Sequence, residues 1–222
     1  MNIRPKIVAV NGSIRDGNTA EVLHEVGLMA ARRGLDFEVV DVRDLRMLGT
    51  GTCGDCNSRT SACTREDDLP AAVRRLSEAA GVIFASPVQG FGISGLMQTF
   101  IERAGVCHMR YERPLTNKVG GAIAVARRYS STESWSHLVA NLLLNRMILV
   151  GSGFPATVHG LHPGEAVKDE EGMANVERMV ERMIDMIELL AAHRELTGRD
   201  PLPVSAANER AGIAFETLRG RG

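Results

Sequence analysis

Short apolar runs alternate along the chain with longer stretches in which apolar residues recur every three or four positions. That alternation predicts βαβ units and a parallel sheet. Ile7–Val10 is a continuous, largely β-branched run, as a strand buried on both faces requires. Leu23, Val26 and Ala30 follow at helical spacing, and Gly34 is placed to stop that helix. Phe37–Val40 reads as a second strand, closed by Asp41. Asp68 is the expected cap of a helix with Pro70 in its first turn and Leu69, Val73, Leu76 and Ala80 on one face. Val82–Ala85 is the third strand, and Ser94 starts a helix burying Leu96, Phe100 and Ala104. Val119–Ala126 reads as a fourth strand interrupted by Gly120 and Gly121. A helix through Trp135, Leu138 and Leu142 leads to a short fifth strand, Met147–Val150. The last helix spans Glu170–Thr197. Its Val176, Met179, Met183, Ile187 and Leu190 form one stripe, read as core or subunit contact.

Five β-runs with intervening helices fit an α/β fold, a doubly wound five-stranded parallel sheet in three αβα layers. Residues 1–197 read as one domain and 198–222 as a C-terminal tail. Sheets of this kind bind ligands beyond the carboxyl ends of their strands, so chemistry is expected after the first, third and fourth strands. Composition narrows the classes. The 222 residues carry a net charge of −1, which offers no electrostatic footprint for nucleic acid. The apolar runs are too short to span a bilayer, and Asn11 and Gly12 interrupt the first of them where a secretory signal would continue. A soluble cytoplasmic protein with no nucleic-acid or membrane partner is expected.

The loop after the first strand, Asn11-Gly12-Ser13-Ile14-Arg15-Asp16-Gly17-Asn18-Thr19, combines two glycines with side-chain donors and a helix N-terminus. Backbone amides and the helix dipole favour an anion there, and Arg15 adds a charge-assisted contact. Gly12 and Gly17 match the glycine spacing of a nucleoside-triphosphate loop, but Asn18 stands where that motif needs lysine. The G-x-G-x-x-G dinucleotide fingerprint is absent too. Asp41 ends the second strand as a ribose-binding acid would, yet a monophosphate fits the loop best. A capped helix start without a ligand is the plainer alternative. After the third strand, Ser86-Pro87-Val88-Gln89-Gly90-Phe91-Gly92-Ile93-Ser94-Gly95 gives a shaped loop whose backbone can approach a flat, polar-edged ring.

Residues Asn11–Thr19, Ser86–Arg103 and Asn117–Gly151 together resemble the flavodoxin-like NADPH-dependent FMN reductase family, on the branch that includes iron-sulfur flavoproteins. The resemblance covers roughly residues 5 to 152. It implies that Ser13, Arg15, Asn18 and Thr19 hold the FMN phosphate. Pro87, Val88, Gln89, Gly90, Phe91 and Gly92 would line the isoalloxazine ring. The loop Ala126-Arg127-Arg128-Tyr129-Ser130 would close the other side, with Arg127 or Arg128 balancing charge on the reduced flavin. Many relatives carry an aromatic where Gln89 stands, so Phe91 is the alternative stacking residue. The implied activity is FMN-dependent transfer of hydride from NAD(P)H to a small acceptor such as a quinone, nitro or azo compound or flavin. A homodimer or homotetramer is implied as well. A flavoprotein electron carrier of the iron-sulfur flavoprotein type is the alternative.

The long connection Arg43–Asp67 holds Cys53, Cys56 and Cys63. Iron-sulfur relatives place four cysteines in this segment, and Arg59 occupies the third position here. Cys107 is the remaining cysteine of the chain and follows a helix elsewhere in the sequence. A cluster or other metal, a redox-active Cys53–Cys56 pair and inert buried thiols all stay open, with inert thiols the leading reading and no metal site assigned. His159 and His162 read as solvated loop residues, and no residue stands out as a catalytic acid or base.

Overall fold

The computed structural model describes residues 4–51, 54 and 56–202. In chain order, β1 (Lys6–Asn11), α1 (Asn18–Arg32) and β2 (Asp36–Asp41) come first, then α2 (Leu69–Glu78), β3 (Gly81–Gln89) and β4 (Gly92–Ile93). Helix α3 (Gly95–Ala104) continues through a wider π-helical turn, Gly105–Met109, into the short α4 (Arg110–Glu112). There follow β5 (Val119–Ala126), α5 (Ser131–Leu144), β6 (Ile148–Leu149), β7 (Thr157–His159) and α6 (Glu170–Thr197).

The main strands lie in the order β2-β1-β3-β5-β6 and pair in parallel, while β4 folds back on β3. This is the expected three-layer α/β sheet. Strand β1 shows why the layers form. Its side chains alternate, Ile7 and Ala9 joining α1 and α6, and Val8 and Val10 joining α2, α3 and α5. Each fully buried aliphatic or Phe side chain contributes about 1.5–3 kcal/mol, so the two cores hold the sheet from both sides. The methionine-rich stripe of α6 belongs to the first core: Val176, Met179, Met183, Ile187 and Leu190 are all buried in it.

Three local expectations change. Strand β5 is not interrupted at its glycines. A Cβ on Gly121 would lie 2.6 Å from the Met183 sulfur and 3.0 Å from that of Met179, so the glycine lets α6 sit close to the sheet. The fifth strand is split: β6 pairs Val119–Gly120, and β7, unforeseen, pairs Ala124–Ala126 further along the same edge. Asp68 does not cap α2 with its side chain. That carboxylate accepts the Arg46 N–H at 2.7 Å, and Asp67 accepts the Leu69 N–H at 3.2 Å. Ser94 does cap α3, accepting the Met97 N–H at 3.1 Å. Beyond Gly198 only the first residues of the tail are described, and the Leu202 carbonyl accepts from Asn117 at 3.2 Å.

Candidate functional site

The loops after β1 and β3 meet at one sheet edge because two serines stitch them together. The Ser94 hydroxyl donates to the Gly12 carbonyl at 2.6 Å, and the Ser94 N–H donates to the Ser86 hydroxyl at 3.0 Å. The Gly12 N–H donates to the Ala85 carbonyl at 2.9 Å. Gly12 has no room for a side chain, since a Cβ would lie 2.7 Å from that of Met97. Asp41 braces this loop: it accepts from Asn11 Nδ2 at 2.7 Å, and Asn11 Oδ1 accepts the Ser13 N–H at 3.0 Å. The Ser13 hydroxyl donates to the Arg15 carbonyl at 2.7 Å, so it shapes the turn that leads into α1. Like any helix start, α1 leaves its first N–H groups, those of Asn18, Thr19 and Ala20, without acceptors in the helix.

Over this edge lies a cleft of about 320 Å³. Ser13, Arg15, Asn18 and Thr19 line it from the first loop, Pro87, Val88 and Gln89 from the third, and Arg127 from the loop after β5. Gly90, Phe91, Gly92 and Arg128, also expected at a site, are not among its lining residues. Gly90 and Phe91 instead form the two-residue turn of the β3–β4 hairpin, both with positive φ, 57° and 66°. Such turns need left-handed backbone at both central positions, and Phe91 adopts it at a cost of about 1–2 kcal/mol. Its ring is largely exposed and lies against Tyr129, with centroids 4.8 Å apart. Tyr129 itself lines the cleft, so the pair stands at its rim. The titratable side chains among the lining residues are Arg15, Arg127 and Tyr129; neither a carboxylate nor an imidazole belongs to that set. Two arginines and a helix start give this lining a positive character.

A fourth segment was missed from sequence. Gly160, Leu161 and Pro163, just beyond β7, complete the wall facing the first loop. The Gly164 N–H donates to Glu21 at 2.7 Å and the Ala166 N–H to Asn18 Oδ1 at 3.4 Å. His159 lies in β7, and its N–H donates to Asp169 at 2.7 Å. The signal available was Gly160: a Cβ there would lie 2.6 Å from the Ala166 nitrogen and 2.9 Å from Asn18 Nδ2. Gly160→Ala is therefore expected to cost about 1–3 kcal/mol of stability and to push this segment off Asn18. Urea unfolding and an FMN titration on one preparation check both effects.

The remaining cysteines do come together. Cys56, Cys63 and Cys107 are all buried in one cluster with Val106, although Cys107 comes from the turn after α3. Cys53 lies outside the described residues. The Cys63 N–H donates to the Cys107 carbonyl at 2.9 Å. Arg103, 2% exposed, pairs with Asp67 beside this cluster. Burial raises the Cys107 thiol, and Arg103 only partly opposes it. Burial also acts upward on Cys63, but the Arg65 N–H and Arg103 outweigh it and hold that thiol below its ordinary value. His108 is kept below the usual histidine value by burial first and by the Arg103 charge second.

An iron-sulfur flavoprotein of Methanocaldococcus jannaschii is 28% identical over 194 residues, covering 83% of this chain and 98% of that protein. One from Methanosarcina thermophila is 26% identical, covering 86% and 99%. Among solved structures, RosB with a bound riboflavin-phosphate intermediate superposes with a TM-score of 0.67 at 16% identity, over 94% of this chain and 93% of that one. An archaeal flavodoxin gives 0.55 at 14%, over 82% and 99%. These likenesses establish a flavodoxin-like fold. The model of one family, NADPH-dependent FMN reductase, matches residues 5–161, from the start of β1 to the cleft wall behind Gly160. With the loops after β1, β3 and β5 and most of its length inside that match, this chain is a flavoprotein oxidoreductase of the NADPH-dependent FMN reductase family.

Proposed function

We propose that the protein takes hydride from NAD(P)H onto FMN held in the cleft and passes it to a small acceptor. The observation that carries the reading is the lining of that cleft: an arginine and a helix start at one end, the Pro87–Gln89 backbone at the other, and no acid or imidazole between them. Bound FMN supplies the two-electron chemistry. The chain's part is to bind and position. Arg15, Asn18, Thr19 and the α1 N-terminus take the phosphate dianion. Pro87, Val88 and Gln89 present backbone groups to the ring edge, and Arg127 places a cation at its far side. Phe91 and Tyr129 at the rim give a planar substrate a surface to lie against. A second copy of the chain covering that exposed rim is part of the proposal.

Rapid-mixing reduction of the FMN-loaded protein by NADPH and by NADH, followed at the flavin absorbance, tests it. The expected result is reduction well above the rate for free FMN with at least one nucleotide. Reduction no faster than that of free FMN would sink the enzyme reading and leave an electron carrier.

A further inference from the structure

Among the described residues, no three His, Cys, Asp or Glu side chains are placed to hold a metal ion. The reactive group that the fold does set in a cavity is an amine. At the opposite end of the sheet from the cleft, where β1, β3 and β5 begin, lies a cavity of about 240 Å³. The segments leading into those strands line it on one side and α6 on another, and Asp200–Leu202 border it.

Lys118 belongs to this lining. Its Nζ donates to the Ala79 carbonyl at 2.7 Å, a neutral acceptor. The carboxylate that lines the same cavity, Asp200, is taken up by Arg194 Nε. The chain has two other lysines, and neither is placed in this way. Lys6 is ion-paired with Glu38 at 2.7 Å, and Lys168 is exposed ahead of α6. An amine in water or beside a carboxylate keeps its proton, and a protonated amine is no nucleophile. At Lys118 burial works against the charged form first and the Arg194 charge second, which holds this amine below the ordinary lysine value. Arg194 brings a second property. Its side chain is 52% exposed, so it can meet an anion arriving from solvent. An amine that sheds its proton next to a guanidinium suits an electrophile with an anionic leaving group.

We infer that Lys118 is a modification site, acylated by small acyl phosphates whose phosphate group Arg194 receives. The neutral Nζ attacks the acyl carbon. The N–C bond forms and the C–O bond to phosphate breaks, its electron pair leaving with the phosphate. The proton lost from nitrogen passes to the released phosphate or to water, so the products are an amide and inorganic phosphate. The acylated side chain keeps one N–H for the Ala79 carbonyl and gives up its charge. Nothing is oxidised or reduced, and the step stands apart from the proposed reductase activity.

The test treats the full-length protein with acetyl phosphate at mildly alkaline pH and follows each lysine by peptide mapping over time. Lys118 is expected to be acetylated at least about threefold faster than Lys6 and Lys168, a preference that disappears in urea. Arg194→Gln should slow acetylation of Lys118 by acetyl phosphate more than by phenyl acetate, which carries no phosphate. Arg194 is exposed, so this variant keeps the fold. Equal rates at the three lysines, the same preference for Lys118 in urea, or equal slowing with both reagents would each overturn the inference.

Discussion

Asp67→Ala is expected to destabilise the protein by about 3–5 kcal/mol, the cost of stranding a buried charge. Its partner Arg103 is 2% exposed, and the Asp67 side chain is fully covered. Asp67 does more than pair with it. Its carboxylate also accepts the N–H groups of Leu48 and Leu69, tying the long loop and the start of α2 to α3. Removing it leaves a cation and two amides in want of acceptors at once. A companion variant, Asp67→Leu with Arg103→Leu, should recover much of the loss, because two apolar groups strand no charge. The pH dependence follows the same logic. Burial acts to raise the Asp67 pKa, but the Arg103 bond and the Leu48 and Leu69 amides outweigh it, and the folded value lies below the ordinary one. Its contribution is then fully present above about pH 4 and is lost as pH falls through the folded value. Urea unfolding between pH 7 and pH 2 should show a weaker acid dependence in Asp67→Ala than in the parent. A loss under about 1 kcal/mol at pH 7 would mean that the pair is not the tie it resembles.

That a single aspartate joins three elements was not readable from sequence, and the reason is physical. Local signals report local structure. The Glu170–Thr197 boundaries of α6 were legible because each end carries its own cap: Asp169 accepts the Gly172 N–H at 3.0 Å, and Gly198 takes φ 65°. Strand β1 was legible because both its faces are apolar. Asp67 and Asp68 were not distinguishable, since either can cap a helix, and only the fold decides that Asp67 turns inward to Arg103. The same limit hid β7. Three residues with one buried position carry no usable period, and pairing with β5 makes the strand. It also hid the convergence of Cys107 on Cys56, which depends on where α3 ends. The first and third loops, by contrast, are contiguous in sequence, so the residues named from them could be placed side by side in advance, whereas the wall from Gly160 comes from a distant segment.

Arg15→Ala is expected to weaken FMN binding about 10- to 100-fold, the equivalent of one charge-assisted hydrogen bond of about 1.5–3 kcal/mol. Arg15 is exposed, lines the cleft and folds back toward the α1 N-terminus, its Nε 3.6 Å from the position of a Cβ on Gly17. In the proposed mode its cation and the helix-start amides face the same phosphate. Because the side chain is exposed, stability should change by less than about 0.5 kcal/mol, which separates a binding effect from damage to the fold. Riboflavin supplies the decisive control. It has the same ring and no phosphate, so the loss seen with FMN should vanish with riboflavin if Arg15 acts on the phosphate. Arg15→Lys should fall between, since it keeps the charge and gives up the planar fork. Fluorescence titration of both flavins against the three proteins gives the comparison. An equal loss for riboflavin and FMN would move Arg15 from the phosphate to the ring and reverse the orientation assigned to the cofactor.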